Sequence, residues 1–130
     1  MTDLKDQMPA LEATFKQQLV DCIRMLEQSD IIDYNGHASI RLGEDRMLIN
    51  IGSCQRSSLT PADICTIDME GNMIEGNGKP PLEFHLHAGI YRARRDVKAV
   101  VHAHPKWSTF LTMTGHRSEE RRVGKECRSR

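Results

Sequence analysis

The stretch LEFHLHAGIYRARRDVKAVVHAHP, residues 82–105, decides how this 130-residue chain is read. Its first half has helical spacing. Leu86, Ile90 and Ala93 fall on one side, which predicts a helix over Leu82–Arg94 with that side turned inward. Its second half, DVKAVVHAH, is apolar and rich in valine and predicts a strand. Pro105 then opens a further helix carrying Trp107, Phe110 and Leu111. Alternate residues of a strand share one face, so His102 and His104 project side by side from the strand end. Two imidazoles so placed can converge on a zinc-type ion at about 2.0–2.1 Å each. They can equally cap the strand with ordinary hydrogen bonds, and both readings stand at this level.

Upstream of this unit the elements are short. Pro9–Gln28 reads as an amphipathic helix opened by Pro9, with Leu11, Phe15, Leu19, Cys22, Ile23 and Leu26 at helical spacing and Cys22 in the core. Ala38–Leu42 and RMLINI (residues 46–51) form a predicted hairpin around the turn GED. A one-turn element at Pro61–Asp63 leads into the strand ICTID, closed by the turn MEGN and the short partner MIEG. Small antiparallel strands followed by helix, strand and helix give a layered α/β architecture rather than a doubly wound sheet.

Bulk properties narrow the function. The chain has 18 basic and 18 acidic residues, so no net charge points to nucleic acid or an anionic membrane. There is no signal-peptide pattern and no long apolar run, which predicts neither export nor membrane insertion. The four cysteines, Cys22, Cys54, Cys65 and Cys127, lack CxxC spacing and predict free thiols in a reducing cytoplasm. Arg117–Arg130 differs from the rest. It carries six basic and three acidic residues and one sizeable apolar side chain, Val123, so it cannot bury a face. It is read as a non-native or disordered tail, and residues 1–116 as one partial domain.

Several polar residues could carry chemistry. Glu83 follows two prolines that stiffen its approach, at the mouth of the predicted helix, where the dipole also favours a simple acid. His85 and His87 lie on that helix and read more readily as packed or hydrogen-bonded residues than as ligands. His37, in the turn NGHAS, can approach a ligand, and Gly36 beside it permits close backbone contact. Gly52 and Ser53, in NIGS, offer backbone N–H groups and a hydroxyl as a small anion cradle.

In this order, GHAS, LINIGS, LTPADICTIDMEGN, EFHLHAGIYRARRDV and AVVHAHP resemble the class II aldolase/adducin family, from about Pro9 to His116. The resemblance implies a three-layer α/β/α domain with a central, mainly antiparallel sheet, its C-terminal part missing. It implies that His102 and His104 are zinc ligands and Glu83 the acid/base residue. His37, Gly52 and Ser53 stand beside these as substrate-binding candidates from their own turns. Zinc, or another divalent metal, would grip adjacent substrate oxygens and stabilise the enediolate left when a C–C bond breaks. The resemblance also implies a symmetric homotetramer acting on a small molecule.

Three departures matter. The third zinc histidine of the family is not matched, since His116 comes far too soon. Where sugar-phosphate aldolases carry two serines before the glutamate, this chain has Pro81 and Leu82, and His37 stands where they have asparagine. The missing serines and His37 argue against a sugar phosphate and point to a lyase acting on a small hydroxy-oxo carboxylic acid, by decarboxylation or retro-aldol cleavage. The alternatives are a non-catalytic adducin-like interaction domain or an inactive fragment.

Overall fold

The computed structural model describes residues 4–116. The tail reading of Arg117–Arg130 and the thiol of Cys127 lie outside the described residues. The elements run α1 (Leu4–Gln28), β1 (His37–Leu42), β2 (Arg46–Asn50), β3 (Ile64–Asp68), β4 (Met73–Glu75), α2 (Phe84–Ala93), β5 (Ala99–His102) and α3 (Lys106–Met113). Two short 3-10 turns, Arg56–Ser58 and Pro61–Asp63, join β2 to β3.

The five strands form one sheet in the order β4-β3-β2-β1-β5, and each described pairing is antiparallel. Strand alternation splits the core in two. Leu48 and Ile64 face α1, where they pack with Leu19, Val20, Ile23, Ala38, Leu42 and Leu59. Their neighbours Met47, Ile49, Cys65 and Ile67 face the other way, onto Ala88 and Tyr91 of α2. The result is the α/β/α layering expected, with α1 and α2 on opposite faces of the sheet. Burying one side chain of this size is worth roughly 1.5–3 kcal/mol, so these two clusters supply most of the driving force.

Four details differ from the sequence expectation. Helix α1 begins before Pro9 and runs through it, because the missing N–H costs one bond in an exposed outer turn rather than ending the helix. Cys22 is half-buried rather than in the core. The inward side of α2 is not Leu86, Ile90 and Ala93, which are exposed, but His87, Ala88 and Tyr91. An apolar stripe misled there because the buried side uses two polar rings whose polar atoms find partners on β1. Finally, β5 stops at His102, so His104 lies beyond the strand.

Helix α3 has no buried residue. Trp107, Phe110, Leu111 and Met113 are exposed, as is Val101 of β5. Among the described residues, β5 is an edge strand with β1 as its one partner.

Candidate active site

The site forms where β1, β5 and the start of α2 meet. Antiparallel register puts His37 of β1 directly across from His102 of β5. Both point to the α2 side, since His102 shares the parity of Val100, which packs on the α2 cluster. Glu83 is the residue that caps α2, and its carboxylate reaches over both rings. Glu83 Oε2 lies 3.1 Å from His102 Nδ1 and 3.2 Å from His37 Nε2. His37 Nε2 and His102 Nδ1 are 3.3 Å apart.

These three atoms are the one cluster among the described residues able to hold a metal ion. Ligands at about 2.0–2.1 Å in a tetrahedral shell stand roughly 3.3–3.4 Å apart, so the spacing suits a zinc-sized ion. His104 stands next to the cluster, its ring centroid 4.7 Å from that of His102 in an edge-to-face arrangement. The structure therefore brings Glu83, His102 and His37 together and places His104 alongside.

A cleft of about 810 Å³ opens onto this point, and Glu83, His37 and His104 are on its wall. Pro81 and Leu82 line it without a hydroxyl between them, and Lys79 supplies a cation. Ser53 is exposed on the same wall. The N–H of Gly52, though, donates to the Lys79 carbonyl at 3.0 Å, which removes it from any anion cradle. Gly52 instead serves a close approach, because a Cβ there would stand 3.1 Å from Pro81 Cα. Arg56 is buried beneath the cleft and donates to the carbonyls of Gly36, Gly52 and Cys54, so it braces the loop.

Behind His37 lies a set of polar groups in which His87 is the packed, hydrogen-bonded residue the sequence predicts, while Ser39 and Tyr91 are members that sequence reasoning missed. His37 Nδ1 is 2.7 Å from His87 Nε2, His87 Nδ1 is 2.7 Å from Ser39 Oγ, and Ser39 Oγ is 2.7 Å from the Tyr91 hydroxyl. All four side chains are buried. Burial, then the charges of His37 and His102, push His87 down to about 3. His37 is also held below its ordinary value by burial, against its hydrogen bond to the Glu83 carboxylate, which acts to raise it. Burial raises the Tyr91 phenol, so it keeps its proton at neutral pH. The signal was present in the sequence. His87 and Tyr91 are four apart on a helix, and Ser39 is two from His37 on a strand, so each pair shares a face.

A model of the class II aldolase and adducin N-terminal domain matches residues 17–127. The chain is 35% identical to an L-fuculose phosphate aldolase of Methanocaldococcus jannaschii, over 75% of this chain and 52% of that protein. It is 33% identical to a 3,4-dihydroxyphthalate decarboxylase of Arthrobacter keyseri, over 75% of this chain and 43% of that one. A solved L-fuculose 1-phosphate aldolase superposes with a TM-score of 0.70 at 28% identity, covering 78% of this chain and 49% of that one. The chain thus spans about half the length of the curated relatives it matches.

Proposed function

The chain belongs to the class II aldolase and adducin family, and from that premise we propose that it carries the acid/base and metal-binding residues of a lyase. The reaction is cleavage of a C–C bond in a small hydroxy-oxo carboxylic acid, by decarboxylation or retro-aldol chemistry. The observation that carries this reading is the carboxylate of Glu83 held 3.1 Å from His102 at the wall of an open cleft. A non-catalytic interaction domain has no need of such a cluster.

His102 and His104 would hold zinc or another divalent ion beside Glu83. When bound, that ion supplies Lewis acidity to two neighbouring substrate oxygens. Glu83 is exposed toward the cleft and is the group placed to take or return the proton at the reacting centre. His37 lies against the same carboxylate and would contact substrate. Pro81 and Leu82 give a phosphate no hydroxyl to bind, while Lys79 can pair with a carboxylate. In the complete protein the family resemblance implies a homo-oligomer, a tetramer. Cys22, Cys54 and Cys65 are free thiols, which favours the cytoplasm. Among the described residues no helix is long and apolar enough to cross a membrane.

The test is a panel of hydroxy-oxo acids and sugar phosphates assayed with the zinc-loaded protein and with Glu83→Gln. Acids should be turned over and sugar phosphates poorly, and Glu83→Gln should lower kcat by about 100-fold or more. Preferred turnover of a sugar phosphate, or an active Glu83→Gln, would refute the reading.

A further inference from the structure

The spacing of His37, Glu83 and His102 fits an ion, yet spacing alone does not say which nitrogen lone pairs are free. The buried groups behind His37 answer that. Each buried hydrogen needs an acceptor, and leaving one unpaired carries its full desolvation penalty. Among the described residues, Ser39 Oγ meets the two 2.7 Å contacts already given, and the Tyr91 hydroxyl, whose oxygen the Val100 backbone N–H also approaches, has Ser39 Oγ as its one acceptor. Tyr91 is 1% exposed and Ser39 1%, so water does not substitute.

Three arrangements are conceivable. If Ser39 donates to Tyr91, the phenol hydrogen is orphaned. If Tyr91 and His87 Nδ1–H both donate to Ser39, the serine hydrogen is orphaned. If Tyr91 donates to Ser39 and Ser39 donates to His87 Nδ1, every hydrogen is used. The third arrangement puts the single proton of neutral His87 on Nε2, from which it donates to His37 Nδ1 across 2.7 Å. His37 must then carry its own proton on Nε2, aimed at Glu83 Oε2.

We propose that Tyr91, Ser39 and His87 form a one-way hydrogen-bond chain that fixes His37 as an Nε2–H donor to Glu83, and so bars it from ligating metal. Ser39 and His87 are positioning residues. They act through His37, which holds one carboxylate oxygen of Glu83 by a proton that cannot swing to the other nitrogen without stranding a buried hydrogen. The direction of the chain stands on hydrogen-bond accounting. The service it gives Glu83 rests on the lyase reading. It divides the cluster into a donor, His37, and a ligand, His102, although their nitrogens are almost equally distant from the carboxylate.

The experiment reads histidine tautomers by long-range proton–nitrogen correlation on the 15N-labelled, metal-free chain. His37 and His87 should both carry the proton on Nε2. In Glu83→Gln, where the outer carboxylate no longer attracts that proton, His37 should keep it on Nε2, because the buried chain suffices. Adding Ser39→Ala to Glu83→Gln should leave His37 as a mixture of tautomers, and Tyr91→Phe alone should leave it unchanged. An Nδ1-protonated His37 in the parent, or a mixture in Glu83→Gln alone, overturns the proposal. Both readings survive a Ser39→Ala variant that fails to fold. On saturation with zinc, His102 signals should move while His37 retains its Nε2 proton, and loss of that proton also overturns the proposal. Zinc that leaves His102 unmoved would instead count against the metal-dependent lyase, with the tautomer result still standing.

Discussion

Lowering the pH from 7 to 5 should destabilise this fold through one buried ring. His87 is fully buried in the layer between α2 and the sheet. Burial, with His37 and His102 nearby, lowers it from the ordinary 6.5 to about 3. In the unfolded chain the same imidazole takes up a proton as soon as the pH drops below 6.5. The unfolded state therefore binds more protons between pH 6.5 and 3, and stability must fall as the pH falls through that window. Above 6.5 neither state is protonated and the contribution is complete. The limiting slope for one proton is about 1.4 kcal/mol per pH unit. Between pH 7 and 5 the loss from His87 alone is then about 2 kcal/mol. That is a large share of the roughly 5–15 kcal/mol that holds a small domain together. His37 is shifted in the same direction and adds to the slope. The assay is urea unfolding of the dilute chain at pH 7, 6 and 5, for the parent and for His87→Gln, which cannot titrate. Whatever His87→Gln costs in absolute terms, the parent should lose about 2 kcal/mol more than the variant across the range. Equal pH dependence of the two chains would show that His87 is protonated in the fold, and the reasoning would fail.

Three further outcomes follow from the geometry. His102→Ala should weaken zinc binding at least tenfold in a competition titration with a chromophoric chelator, and unchanged affinity would remove His102 from the ligand set. Tyr91→Phe should lower stability by about 0.5–1.5 kcal/mol, since it removes one buried hydrogen bond and leaves Ser39 bonded to His87, and a urea midpoint unchanged at neutral pH would contradict that. The chain should self-associate in sedimentation velocity through α3, and Phe110→Asp together with Trp107→Asp should shift it to monomer; a parent that stays monomeric at high concentration would show that the exposed side of α3 is not an interface.

The architecture was open to sequence reading because its signals are local. Met47 and Leu48 alternate between two cores as a strand of period two requires, and the hairpin and the turn at Pro61–Asp63 fall where glycine, proline and capping residues place them. The order of motifs carried the family. The inward side of α2 was not open to it, because apolar spacing assigns Leu86 and Ile90 to the core, whereas the sheet above α2 presents His37, Ser39 and Arg41. A helix against such a strand does best by matching polar groups, and His87 and Tyr91 match Ser39 at 2.7 Å each. That complementarity exists between two elements about 50 positions apart, and no window along the chain contains it.

The histidine pair at the end of β5 divides for a related physical reason. A spacing of two groups His102 with His104 only while the chain stays extended. β5 ends at His102, so His102 keeps the direction that β1 imposes and meets Glu83 at 3.1 Å. His104 is placed by the turn into Pro105 instead. His37 takes the place beside His102 through antiparallel register, a relation between residues 65 positions apart. Register brings the two imidazoles to one carboxylate. The buried bonds behind His37 bear on the first of these imidazoles, whose Nδ1 meets His87 Nε2 at 2.7 Å.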